Sequence, residues 1–369
     1  MVTALLTTYL TAYRMPLFER LADRHQVEVL CFGGGERYVP EWFSDLDRQL
    51  ADAPFPARRL DGAREAFSVA RDYELVIAPF AGGATLPAAY MGARRFQRRF
   101  VLWASVWAQP RSVAHAAALP MTRLIYRDAD AVIAYGEHVR RFVAGIRGHD
   151  DDVFVAPQSV EPELFGRSVS DSEVAAFREE YGLGDGPLVL YVGRLVPEKG
   201  VAVLLDAWPM VSADATLVLI GDGPLAARAA GVPRARLLGA LARADLPVAY
   251  AASGFGVLPS IPTPRFREPW GLVCNEAMHQ GKPVLATTTV GAVAGGLVVD
   301  GETGLVVAPG DARALAEAID RLLADGSLRS RLGARARQAV SAYTYDAMVA
   351  AFDRAISTAR GRSRARGAH

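Results

Sequence analysis

The chain has 369 residues, of which 51% are hydrophobic and 22% charged, enough apolar material for two ordinary globular domains. Its 41 basic and 40 acidic residues leave a formal charge of +1, so no global field draws it to nucleic acid or to an anionic membrane. Two cysteines, Cys31 and Cys274, lie far apart and suggest neither a disulfide framework nor a zinc site, which fits a reducing cytoplasm; no apolar run reaches the roughly 18 residues of a membrane-spanning helix.

Residues 1–6 are largely apolar but carry no basic flank and lead into polar Thr7-Thr8-Tyr9, so residues 2–7 read as a first buried strand rather than a secretory leader. Further β-branched runs predict strands at 27–32, 75–79, 100–105 and 131–135, separated by longer helical stretches. That alternation predicts βαβ units and a parallel sheet. A break is expected near 161–186, where a short acidic helix at 172–181 is followed by Gly182, Gly184, Gly186 and Pro187. The first domain is therefore placed at 1–165 and the second at 166–344. The second restarts the pattern with strands at 188–192, 216–220, 236–238, 255–258, 283–286 and 304–307. Leu315, Ile319, Leu322 and Leu323 give helical spacing over 313–323. A last helix at 345–358 is expected to return to the first domain, and the Arg/Gly/Ser/Ala-rich residues 359–369 are expected to be disordered.

Three motifs in the second half carry chemistry. Gly193-Arg194-Leu195-Val196-Pro197-Glu198-Lys199-Gly200 follows a predicted strand. Ligands of open α/β sheets bind at that strand edge. Gly193 permits close approach, Arg194 offers a planar fork and Lys199 a point charge, so the two cations suit a diphosphate; a solvated Glu198–Lys199 loop is the plainer alternative. The chain has only two lysines, Lys199 and Lys282; the second precedes a strand and reads as structural. Gly221-Asp222-Gly223-Pro224 is a tight turn after the next strand. The third motif runs from Glu268-Pro269-Trp270-Gly271-Leu272-Val273 through Cys274-Asn275-Glu276 to Gly281-Lys282-Pro283. Its helix would open near Gly271–Val273, leaving amides free for an anion, with one carboxylate before the helix start and another about a turn inside it. Carboxylates accept from paired hydroxyls such as those of a ribose or hexose.

These motifs, with Val290-Gly291-Ala292 and Asp300-Gly301-Glu302-Thr303-Gly304, resemble the retaining glycosyltransferases of family 4. The resemblance covers most of 188–323. It implies an α/β chain of the GT-B fold: two facing Rossmann-like domains with parallel sheets and an interdomain cleft, the first taking the acceptor and the second the nucleotide-sugar donor. It further implies a retaining, metal-independent transfer of a hexose-type sugar from a UDP- or GDP-sugar to a hydroxyl on a small molecule, oligosaccharide or lipid-linked glycan. Residue by residue, it implies that Arg194 and Lys199 hold the diphosphate, Glu268 contacts the donor sugar and Glu276 binds the ribose. Gly193, Gly223, Gly271, Leu272 and Val273 would line the donor site. No cofactor is implied beyond the substrate, and no nucleic-acid partner.

The first half departs from the family. Where many relatives carry a Gly-Gly loop, this chain reads Thr7-Thr8-Tyr9-Leu10-Thr11-Ala12-Tyr13-Arg14, and Trp103–Pro110 holds no histidine. Arg14 reads either as a cation replacing amide contacts or as a surface arginine. Trp107, His115 and His138 are acceptor-side candidates whose alternatives are core packing and helix surface. Arg94, Arg95, Arg98 and Arg99 would form a basic face for a membrane or, more plainly, a solvated one. An epimerase, a phosphorylase or a non-catalytic nucleotide-binding protein are the competing classes. A dinucleotide dehydrogenase is disfavoured because Gly-x-Gly-x-x-Gly is missing after the first strands.

Overall fold

The computed structural model describes residues 2–33 and 46–362. The chain divides into two compact units. One is built from the chain up to Gln158 together with the chain from Tyr345 onward, and the other from Ser159–Thr344.

In the first unit the strands are β1 (Thr3–Thr7), β2 (Val27–Cys31), β3 (Ala57–Arg59), β4 (Leu75–Pro79), β5 (Arg99–Ala104), β6 (Ala131–Ala134) and β7 (Val153–Val155). They form a parallel sheet in the order β3-β2-β1-β4-β5-β6-β7. The inner strands are buried on both faces, which is why they read as unbroken apolar runs rather than alternating ones. One face packs under the helix Met15–His25 and the terminal helix Tyr345–Gly361, whose Met348, Phe352 and Ile356 are fully buried against Leu5, Ile77 and Ile133. Of the four arginines at 94–99, Arg95 is exposed, and Arg94, Arg98 and Arg99 are partly buried and engaged within the unit, Arg99 with Asp130 at 3.6 Å. Arg94 bonds Asp130 at 2.9 Å and also pairs with Asp128, and Arg98 donates to the Ala70 carbonyl at 3.2 Å.

The second unit holds β8 (Leu188–Val192), β9 (Thr216–Ile220), β10 (Ala235–Gly239), β11 (Phe255–Leu258), β12 (Val284–Thr287) and β13 (Gly304–Val307). Their order is β10-β9-β8-β11-β12-β13, again all parallel. Both sheets are thus doubly wound, with the strand order reversing at β1/β4 in one and at β8/β11 in the other. The helix Ala312–Ala324 buries Leu315, Ile319 and Leu322 on the spacing that predicted it.

Two boundaries and two strands differ from the sequence reading. The first unit's main segment ends at Gln158, not 165, because Val160 and Phe165 are fully buried in the second unit's core. Strands β3 and β7 were not anticipated; each has three residues. The last helix runs to Gly361, so residues 359–361 are helical rather than part of a tail, while the expectation for 363–369 lies outside the described residues.

Candidate functional site

The strand order reverses at β8/β11, and it is at the carboxyl ends of the strands at such a reversal that open α/β sheets bind ligands. Two loops meet there. The loop after β8 carries the Gly193–Gly200 motif, and the chain after β11 continues through Pro259 and Ser260. They are in close backbone contact. Gly200 has φ +71°, and a Cβ there would lie 1.8 Å from the Pro259 carbonyl oxygen, so no larger residue fits. The Ile261 amide donates to the Glu198 carbonyl at 3.0 Å, which fixes the two loops in register.

The consequence is an ion pair between residues far apart in sequence. Lys199 Nζ donates to Glu268 Oε2 at 2.6 Å, with side-chain exposures of 17% and 6%. The Ser260 hydroxyl donates to the same carboxylate oxygen at 3.1 Å. Ser260 is itself fixed, since its carbonyl accepts from the hydroxyls of Thr287 at 2.5 Å and Thr289 at 2.9 Å. An ammonium has three donors, so the bond to Glu268 leaves the cation capacity for an anion.

Arg194 is half-buried, and its carbonyl accepts from the buried Tyr191 hydroxyl at 2.8 Å, which anchors the loop. Burial pushes the Tyr191 phenol well above its ordinary pKa, with Glu268 adding to the rise and Arg194 opposing it. The amide of Gly193 donates to Ile220 at 2.9 Å and that of Gly223 to Asp222 Oδ1 at 2.6 Å. Both amides are therefore engaged within the protein, and these glycines shape the loops.

The third motif supplies the helix Leu272–His279. Gly271 caps it at φ +95°, where a Cβ would lie 2.5 Å from Leu258. The Cys274 amide donates to the Gly271 carbonyl at 2.9 Å, so the amides of Leu272 and Val273 head the first turn. Trp270 Nε1 donates to Asn275 Oδ1 at 2.7 Å, and the Gly291 amide to the Glu268 carbonyl at 3.0 Å, holding the helix entry in place. Burial raises the pKa of the Cys274 thiol; Glu268 and Glu276 add to the rise and Lys199 opposes it, so one sulfur feels all three charges. Glu276 accepts from the Tyr250 hydroxyl at 2.7 Å. Burial raises its carboxyl pKa, partly offset by Tyr250.

The structure thus brings Lys199 and Glu268 together beside the helix start formed by Gly271, Leu272 and Val273, with Glu276 farther along that helix and Arg194 on the same loop as Lys199. Lys282 lies apart, donating to the Ala251 carbonyl at 2.8 Å. Sequence reading missed Ser260, Tyr250, and the pair Arg243–Glu161, whose guanidinium and carboxylate bond at 2.9 and 2.6 Å close enough to Glu276 to act on its charge. Ser260 had a usable signal, since it follows the strand across the β8/β11 reversal. A tyrosine in an apolar helix gives none.

In the first unit, Arg14 follows β1 at the other reversal and is buried. Its guanidinium lies 4.6 Å from the Trp103 ring centre and 5.1 Å from that of Tyr135, and donates to Gln158 Oε1 at 2.7 Å. His138 is buried against Trp107, their rings edge to face at 5.3 Å. His115 forms part of a helix start: the Ser112 hydroxyl caps its amide at 3.3 Å and meets its Nδ1 at 2.7 Å. Among the described residues no group of three or more His, Cys, Asp or Glu is arranged to hold a metal ion. Among them, too, no helix is long and apolar enough to cross a membrane.

Two doubly wound units with parallel sheets are the architecture of the GT-B fold, and the comparisons give the family. Residues 186–325 match the family model "Glycosyl transferases group 1". The GDP-mannose-dependent α-(1-6)-phosphatidylinositol monomannoside mannosyltransferase of Mycolicibacterium smegmatis is 30% identical over 279 residues, 69% of each chain. The α-D-kanosaminyltransferase of Streptomyces kanamyceticus is 34% identical over 185 residues, 47% of this chain and 46% of that one, so the match spans under half of that relative. In fold, the chain resembles Anabaena HepE in complex with UDP, with a TM-score of 0.78, 20% identity and coverage of 97% and 99% of the two chains. The chain belongs to the group 1 glycosyl transferases.

Proposed function

We propose that the chain is a retaining, metal-independent glycosyltransferase that moves a hexose-type sugar from a UDP- or GDP-sugar to an acceptor hydroxyl. The observation that carries this reading is the Lys199–Glu268 pair at the start of the helix Leu272–His279, with Glu276 farther along the same helix. In this reading Arg194, Lys199 and the amides of Leu272 and Val273 hold the diphosphate. Glu268 orients the sugar, and Glu276 accepts from the ribose hydroxyls. HepE, a neighbour in fold, is described in complex with UDP, and the mannosyltransferase relative is named as GDP-mannose-dependent, which supports a nucleoside-diphosphate sugar and leaves the base as UDP or GDP.

The bond from the anomeric carbon to the diphosphate oxygen breaks, and its electrons go to that oxygen. The cations and the helix start meet the developing charge through preorganised electrostatics, worth ~10²–10³ in rate per contact. The acceptor oxygen bonds the anomeric carbon on the face the diphosphate leaves, and its proton passes to the departing phosphate. No protein nucleophile takes part, and the side-chain cations fill a metal's role. The acceptor is a hydroxyl on a small molecule, oligosaccharide or lipid-linked glycan. A relative named for transfer to a phosphatidylinositol mannoside supports a sugar or polyol hydroxyl.

The test is acceptor-dependent release of free UDP or GDP from a panel of nucleotide sugars. Release that needs an acceptor separates transfer from epimerisation and from simple binding. No release from any donor with any sugar or polyol acceptor would refute the reading.

A further inference from the structure

The Glu276 side chain is buried, and what holds it decides what it can present. Tyr250, on the helix Leu246–Ala252, is 1% exposed, and its hydroxyl donates to Glu276 Oε2 at 2.7 Å. Arg243 is near enough to favour the carboxylate's charge, and Glu161 near enough to oppose it. Those two are bonded to each other through both carboxylate oxygens, at 2.9 and 2.6 Å, so their influences on Glu276 run against one another. Phe165 unites the group: the Arg243 guanidinium lies 5.4 Å from its ring centre, and the Tyr250 ring meets it edge-on at 6.5 Å. Among the described residues, Tyr250 supplies the hydrogen bond that orients Glu276.

We propose that Tyr250 is a positioning residue for donor recognition, its hydroxyl fixing the Glu276 carboxylate so that the other oxygen is presented to the vicinal hydroxyls of a nucleotide ribose. The inference rests on the reading of Glu276 as the ribose-binding carboxylate. The torsion that turns a glutamate carboxylate is broad and roughly two-fold, so an unpinned group would spend much of its time misaligned. A vicinal diol presents two donors in a fixed geometry, and pairing with both requires the carboxylate to be set in advance. Tyr250 stays a donor throughout the working range, because burial and the adjacent Glu276 both hold its phenol protonated.

The test compares UDP and GDP with their 2′,3′-dideoxy analogues by calorimetric titration of the full chain. The wild type is expected to favour the ribonucleotide it binds by about tenfold or more, as a charge-assisted hydrogen bond does. Tyr250→Phe, which keeps the ring and its packing, is expected to narrow that preference to about threefold or less. Adding Tyr250→Phe to Glu276→Gln is expected to change the ratio no further, because the tyrosine acts through the carboxylate. A general loss of stability would weaken both ligands alike and leave the ratio untouched. A Tyr250→Phe variant that keeps the wild-type ratio overturns the positioning role and leaves the donor-site reading standing. A wild type that binds a nucleotide without regard to its ribose hydroxyls overturns the role of Glu276 and this inference together. Should Tyr250→Phe not fold, the decision passes to Tyr250→Leu, which likewise carries no donor, in the same titration: a ratio below the wild type supports the proposal, and an unchanged ratio overturns it.

Discussion

Removing the Lys199 side chain separates stability from chemistry. Lys199 and Glu268 are 2.6 Å apart at 17% and 6% side-chain exposure, so Lys199→Ala withdraws the cation from a nearly buried carboxylate. Deleting one partner of a fully buried pair costs about 3–5 kcal/mol; the remaining exposure of Lys199 puts this case at the lower end, about 3 kcal/mol. For a unit of this size that lowers the midpoint of thermal unfolding by roughly 6–12 °C. Adding Glu268→Gln replaces the stranded charge with a neutral amide that still accepts from Ser260, and should recover most of the loss. Turnover should behave differently: the single and double variants both remain down by ~10²–10³ at saturating donor, because the diphosphate has lost its ammonium. The assays are thermal unfolding and nucleoside-diphosphate release. Wild-type turnover in Lys199→Ala would refute the reasoning. So would a double variant that regained turnover along with stability, since Lys199 would then be a structural cation.

Gly200→Ala should destabilise the second unit by about 3 kcal/mol or more, because its φ of +71° is unfavourable to alanine and the new Cβ would meet the Pro259 carbonyl at 1.8 Å; an unchanged urea midpoint would show that the loops can separate. Arg14→Ala empties a position lined by Trp103 and Tyr135 and removes the donor to Gln158 Oε1. It should cost about 2–3 kcal/mol in stability yet change UDP or GDP affinity by less than about twofold; a tenfold loss of affinity would move Arg14 into donor binding. Burial raises the Glu276 carboxyl pKa above its unfolded value of about 4.3, so its charged form is disfavoured by folding. Its contribution to stability is therefore best below the unfolded value and weakens as pH rises through the folded one. If Glu276 binds the donor as proposed, binding needs the carboxylate and runs the other way, failing on acidification at a higher pH than for a solvent-exposed glutamate. Calorimetry against pH, with Glu276→Gln as reference, checks this, and an acid limb no higher than that of an exposed glutamate would contradict it.

The alternation of apolar runs and helices was enough to place eleven of the strands, because inner strands of a doubly wound sheet are buried on both faces and leave long apolar signatures. Ala57–Arg59 and Val153–Val155 escaped because three residues carry no periodicity, and the first is two-thirds arginine. The domain boundary was misplaced because the glycine-rich loop at 182–187 looks like a linker, whereas Val160 and Phe165 had already entered the second core. The residues gathered around the start of the helix Leu272–His279 were legible as a group since glycines, a scarce lysine and paired glutamates stand at fixed spacing. What the sequence could not show is which groups hold those residues. Ser260 reaches Glu268 across eight residues and Tyr250 reaches Glu276 across twenty-six, through packing that no local pattern encodes. In the first unit Arg14 stood out as an isolated cation. The aromatic rings around it come from two other strand ends, and their convergence is a property of the sheet.

If the second unit's cations and helix start hold the diphosphate of a nucleotide sugar, their removal must abolish tight donor binding. Calorimetric titration of the full chain with UDP-glucose and GDP-mannose, for the wild type and for Arg194→Ala/Lys199→Ala, measures this. The wild type is expected to bind at least one of them saturably and one to one, and the double variant to lose about a hundredfold or more in affinity. Equal affinity in both proteins would exclude these cations from donor binding.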